Sequence, residues 1–103
     1  MQLIQNENSV ILEGNLQVED VEKMKAFLEQ SRILNWNCRE LEIEDAQAMA
    51  SLTSLIKKLL TEGNSITLLA PPQLLMHNLY RLGFYPHPLL KVVEIRQEEV
   101  YSS

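Results

Sequence analysis

Residues 40–63, ELEIEDAQAMASLTSLIKKLLTEG, decide how this chain is read. The segment opens with Leu41 and Ile43 alternating against Glu40, Glu42 and Glu44, the period of a half-exposed strand. From Asp45 the period changes. Met49, Leu52, Ile56 and Leu59 fall on one stripe at helical spacing, with Lys57, Lys58 and Glu62 off it. Asp45 suits the N-cap, where a carboxylate accepts from the first free amides. Gly63 suits the position just past the carboxyl end, where a left-handed residue stops a helix. Ile66, Leu68 and Leu69 follow as a continuous apolar run, the mark of a strand buried on both faces.

Upstream, residues 32–44 admit two strands. One is 33–38, with Ile33, Leu34, Trp36 and Cys38 inward. The other is 40–44, whose alternating charge suits a half-exposed position. The first makes the better central strand, and the second stays open. Before it, residues 17–31 form a helix with Val21, Met24, Phe27 and Leu28 on one face. Glu19, Asp20 and Glu22 crowd its first turn, where the macrodipole favours acid, and Glu19 and Lys23 form an i,i+4 pair. Residues 2–13 read as a hairpin that turns at Asn6, Glu7, Asn8 and Ser9 and ends at Gly14, which tolerates a backbone turn.

Downstream, Ala70, Pro71 and Pro72 break the strand, with proline expected at the first helical position. Residues 73–82 form a second amphipathic helix with Leu75, Leu79 and Leu82 inward, capped by Gly83, with Phe84 packing back on the last turn. Residues 85–88, YPHP, are a rigid turn, and 89–95 a last strand. Residues 1–96 make one domain, and 97–103 a polar tail. Strands alternating with helices predict an α/β fold with a mixed, mostly parallel sheet of about 4–5 strands and about 3 helices.

A chain of 103 residues is long enough to bury roughly two thirds of its unfolded surface in one core. Its net charge is −5, and its nine basic residues are spread thinly. Nucleic-acid binding needs a clustered basic face, so that class is set aside. The single cysteine, Cys38, cannot form an internal disulfide, which fits a reducing compartment. No apolar run approaches the ~18 residues of a membrane span, and the first residues lack the pattern of a signal peptide. The expectation is a cytoplasmic protein.

Site chemistry is sparse. His77, His87 and Cys38 share no ligand spacing, so no metal site is expected. His77 sits on the outer face of a helix, and His87 lies between two prolines. No serine occupies a nucleophile elbow, the three glycines are isolated, and Cys38 reads as a packed thiol. Glu42, Glu44 and Asp45 read as a solvated edge. The expectation is no enzyme and no cofactor. Tyr80, Tyr85 and Trp36 are the aromatic residues whose exposure matters.

These residues carry a family pattern. Residues 11–16, ILEGNL, give an apolar strand ending in Gly-polar-Leu before a helix. Residues 45–69, DAQAMASLTSLIKKLLTEGNSITLL, give an acidic loop, a helix ending in Gly and an apolar strand. Residues 81–84, RLGF, close the last helix. Over about residues 3–95 the chain resembles a STAS domain, the fold of bacterial anti-sigma-factor antagonists and of the small STAS subunit of lipid-transporting ABC systems. The resemblance implies a non-enzymatic protein-interaction module. Its partner would be an anti-sigma factor or regulatory kinase, or alternatively the ATPase of an ABC-type transporter. A small-ligand binder of nucleotide or lipid is a further reading, and the family includes both monomers and homodimers. The implied docking residues are Asn37, Asp45, Ala46, Gln47, Ala48 and Met49. In one register Asp45 matches the family's loop Asp, Ala46 stands where its phosphorylatable Ser or Thr does, and Asn37 takes the place of the central strand's Asp. In the other, the strand is 41–43, Ser51 matches the phosphosite and Ala50 replaces its Asp. Neither register keeps an intact Asp-Ser pair.

Overall fold

The structure, a computed structural model, describes residues 1–94. The expected tail 97–103, the boundary at 96 and the last residue of the expected strand 89–95 lie outside the described residues. The chain runs β1 (Gln2–Asn6), β2 (Ser9–Asn15), α1 (Val18–Ser31), β3 (Asn35–Asn37), β4 (Leu41–Glu42), α2 (Ala46–Thr61), β5 (Ile66–Leu69), α3 (Gln73–Arg81) and β6 (Leu90–Val93). The sheet order is β1-β2-β3-β5-β6, with β4 also on β2. Among the described strand pairs, only the β1–β2 hairpin is antiparallel. The mixed, mostly parallel α/β fold with three helices is as the sequence predicts, with one strand more.

That extra strand answers the question of residues 32–44: both candidate segments are strands. β3 pairs with β2 at Val10↔Trp36 and Ile11↔Asn37, and β4 pairs with it at Gly14↔Leu41 and Asn15↔Glu42. Between Asn37 and Leu41 the chain takes four steps, while β2 takes three from Ile11 to Gly14. The extra residue is absorbed in a turn closed by Leu41 N–H donating to Cys38 O at 3.1 Å, as in a bulge. A one-residue slip reverses which face a side chain takes. Trp36 and Cys38 are therefore inward at even positions, and Leu41 is inward at an odd one.

Successive crossovers from β2 to β3, β5 and β6 all advance in one direction across the sheet. With right-handed connections this puts α1, α2 and α3 on one face. Val10, Leu12, Trp36, Ile66, Leu68 and Leu90 point into that layer and are buried. Against them α2 buries Ala48, Met49, Leu52, Thr53, Leu55, Ile56 and Leu60. Each large side chain so buried contributes about 1.5–3 kcal/mol relative to exposure. Leu60 rather than Leu59 completes the stripe, Leu59 being half-buried. On the other face Ile4, Ile11, Thr67, Leu69 and Val93 are only partly covered.

The helix ends follow local chemistry. α1 starts with Gln17 N–H donating to the buried Asp20 carboxylate at 2.7 Å. Lys23 lies 3.9 Å from Asp20 instead of pairing with Glu19, and Lys25 pairs with Glu22 at 3.2 Å. α2 stops at Gly63 (φ +90), with Gly63 N–H on Leu60 O and Asn64 N–H on Leu59 O, both at 3.0 Å, the paired bonds of a Schellman end. α3 ends the same way at Gly83.

Three further expectations are corrected. Gly14 does not end the hairpin but lies inside β2 at φ +107. A Cβ there would sit 3.3 Å from the Met1 backbone, so only glycine fits without strain. Pro72 is the N-cap of α3 rather than its first helical residue, because its ψ of 144° is extended. Leu82 is 58% exposed, although Leu75 and Leu79 are buried. It caps the end of α3 across a groove from the small Ala50 and Ser54, which cannot cover it.

Candidate docking site

The loop between β4 and α2 is held by side chains as well as by backbone. Leu16 N–H donates to Glu42 O at 2.8 Å, and Gly14 N–H to Glu40 O at 3.0 Å, which ties β4 to the end of β2. Asn15 then clasps Glu44. Its Nδ2 donates to Glu44 Oε1 at 3.2 Å, and its Oδ1 accepts from Glu44 N–H at 3.4 Å. Asp45 is the N-cap of α2, its Oδ1 accepting from Gln47 N–H at 2.9 Å while its carbonyl accepts from Met49 N–H at 3.0 Å. The helix therefore begins on a fixed, pre-shaped loop, and its entry is made by residues from three elements.

What this end presents to solvent is small and acidic. Glu40, Glu42, Glu44, Ala46 and Gln47 are exposed, as is Ala50 one turn on. Asp45 is half-buried and already occupies the positive end of the helix dipole. Ala46 is the first helical residue, and its methyl group has no atom that could carry a phosphate.

The expected docking residues divide. Asp45, Ala46 and Gln47 lie together at the helix start. Ala48, at 0% exposure, and Met49, at 8%, are core residues, so their side chains hold α2 on the sheet and offer no surface. The helical period decides this, since three and four residues past the cap the face turns inward. Asn37 belongs elsewhere. It is in register with Ile11 and Leu69, and lines a hollow of about 200 Å³ on the face of the sheet away from the helices. Its Oδ1 accepts from Arg39 N–H at 3.0 Å and shapes the turn after β3. Ser51 is half-buried in the second turn of α2, where backbone amides already bond within the helix. A helix that begins at Ala46 puts Ser51 past the helix start, whereas the other register would have it at that start. Sequence reasoning missed Asn15. Its signal was a polar amide beside Gly14, next to the strand that would pair with the acidic run.

The remaining chemistry is structural. Cys38 is 2% exposed, and burial pushes its thiol up to about 12, far from a reactive thiolate. Trp36 is buried, with Nε1 donating to Ile33 O at 3.2 Å. Tyr85 is half-buried and Tyr80 is exposed. His87 Nδ1 accepts from Leu89 N–H at 3.0 Å within its turn, and His77 is exposed. Among the described residues no three His, Cys, Asp or Glu side chains are placed to share a metal ion. No described helix is long and apolar enough to cross a membrane.

No protein-family model and no curated protein matches the sequence. Solved structures do match. One is a structure of the Bacillus cell fate determinant SpoIIAA in its phosphorylated form, similar at a TM-score of 0.60 and 19% identity, over 98% of this chain and 96% of that one. Another is the anti-sigma factor antagonist SpoIIAA in its unphosphorylated form, at a TM-score of 0.57 and 20% identity, over 98% and 94%. At such identities the likeness speaks for architecture, and the architecture is that of the anti-sigma-factor antagonist SpoIIAA, the STAS fold, over nearly the whole chain.

Proposed function

We propose that this chain is a cytoplasmic, non-enzymatic docking module of the anti-sigma-factor-antagonist type, and that a protein partner binds at the amino end of α2. The observation that carries the reading is the clasped and capped loop that presents Asp45, Ala46 and Gln47 on an otherwise SpoIIAA-like fold. A loop fixed before binding loses little entropy on docking, which suits a recognition surface. The regulatory partner is an anti-sigma factor or a related kinase.

Ala46 gives the reading its particular character. In the register that fits α2, it stands where the family carries its phosphorylatable residue. A phosphate there would add about −1.5 to −2 charge beside a partner. With Ala46 that route is closed, so docking at this end is constitutive or controlled elsewhere. The same absence favours a second reading, a structural subunit bound to the ATPase of an ABC-type lipid transporter, which needs no switch at this point.

Affinity capture with the tagged chain and with Ala46→Glu tests the proposal. A carboxylate at the first helical position is favourable for the helix, so the melting temperature should hold. The wild-type chain should retain one regulator or ATPase, and the variant should lose it at least tenfold. Equal retention by both forms would remove this end from the interface.

A further inference from the structure

The exposed large hydrophobic side chains of the described residues are Ile4, Leu74, Tyr80 and Leu82, and three of the four belong to α3 and its cap. Leu74 is 63% exposed and Tyr80 66%. These are not scattered residues. With Gln73, Met76, His77 and Tyr85 they line one shallow hollow of about 500 Å³ on the outer side of α3. A second groove of about 320 Å³ runs between α3 and α2, and there Leu82 meets Lys57 and Arg81. α3 is thus a nine-residue helix that buries only Leu75 and Leu79 and leaves apolar surface on either side of its ridge. A contiguous apolar patch of this kind marks an interaction surface more often than an accident of composition.

Among the described residues, the charge around it has one sign. Residues 63–93 contain no Asp or Glu, although the chain has 14 acids in all. Neither hollow is lined by a carboxylate. Arg81 and Lys57 have no acidic partner among the described residues, whose recorded ion pairs all involve α1. Lys57 instead lies over the Phe84 ring at 5.9 Å. This contrast decides between occupants. A second copy packed symmetrically through α3 would bring Arg81 of each chain to the same seam with no described acid to offset it, and like charges across an interface cost affinity. An acidic segment meets the opposite situation.

We propose that the outer side of α3 is a second docking surface, and that it takes an acidic amphipathic helix of a partner protein. The apolar side chains of that helix seat between Leu74, Met76, Tyr80 and Tyr85, and its carboxylates face Arg81 and Lys57. Helix-in-groove docking uses apolar anchors at helical spacing, and exposed Tyr beside Arg is the composition of a binding hot spot. The surface is separate from the amino end of α2 and does not depend on docking there.

The test uses the full chain, labelled with nitrogen-15, and two synthetic 18-residue amphipathic helices that share a Leu stripe. One carries Glu on its flanks and the other carries Lys. The Glu peptide should bind saturably, with amide shifts centred on Leu74, His77, Tyr80, Arg81 and Lys57. The Lys peptide should bind at least tenfold more weakly. Tyr80→Ser and Arg81→Glu should each weaken the Glu peptide at least tenfold at unchanged melting temperature, and Arg81→Glu should improve binding of the Lys peptide. No binding of the Glu peptide, equal binding of the two, or shifts centred elsewhere would overturn the proposal. So would a peptide-free dimer abolished by Tyr80→Ser, which makes a second copy the occupant. Flotation with vesicles of anionic phospholipid that Tyr80→Ser abolishes would overturn it too, in favour of a membrane surface.

Discussion

The amino end of α2 and the outer side of α3 lie on the same helical layer and differ in almost every respect. At α2, polar groups satisfy one another, the apolar residues turn inward, and the exposed charge is acidic. At α3, Leu74 and Tyr80 turn outward while Leu75 and Leu79 turn inward, and the charge is basic or absent. Local hydrogen bonding shapes the first surface before any partner arrives. The second is held in place by the buried Leu75 and Leu79, by Met76 and Phe84 packed against the core, and by the Gly83 end of the helix. The two proposed docking surfaces are built differently, one from a fixed polar loop and the other from a helix that keeps part of its apolar face uncovered. Their opposite charges would select unlike partner segments.

Substitutions that move charge or volume between core and surface separate the two regions. The largest effect is expected at Ala48→Glu, which buries an unpaired carboxylate at a site with 0% exposure. Loss of cooperative unfolding by circular dichroism is predicted, whereas Ala46→Glu, two residues earlier, should fold normally. Met49→Ala comes next and should cost about 2–5 kcal/mol in urea unfolding, as a core truncation does. Asp45→Ala removes the cap and should cost about 0.5–2 kcal/mol. Asn15→Ala unclasps Glu44 and should cost about 0.5–1.5 kcal/mol. Tyr80→Ser should stay within about ±0.5 kcal/mol. A Met49 variant as mild as the Tyr80 one would erase the division between core and surface on which the comparison rests.

The sequence showed most of this architecture, because periodicity reports which face is buried. α1, α2, β5 and the capping glycines Gly63 and Gly83 were legible for that reason. The central strand was legible only as two rivals. Its alternation slips by one residue at the turn after Cys38, and a slipped period looks like two different strands. Leu82 was misplaced because helical spacing gives direction and says nothing about whether a neighbour is large enough to cover a side chain. Ala48 and Met49 were put on the docking surface by the family resemblance, although helical spacing already set Met49 on the inward stripe and Ala48 lies beside it. Asn37 was displaced by register, because strand pairing sets its face and pairing is not written locally. Asn15 escaped notice because its partner, Glu44, lies 29 residues away.

On the proposed function, a partner docks at the amino end of α2. Hydrogen exchange of the chain, alone and with its captured partner, reads this directly. The first amides of a helix have no backbone partner within the helix, so that of Ala46 should exchange fast in the free chain, those of Glu44 and Gln47 more slowly because Asn15 and Asp45 accept from them, and all three should slow sharply in the complex. If their rates stay the same while the amides of residues 73–85 slow instead, docking at the amino end of α2 is contradicted.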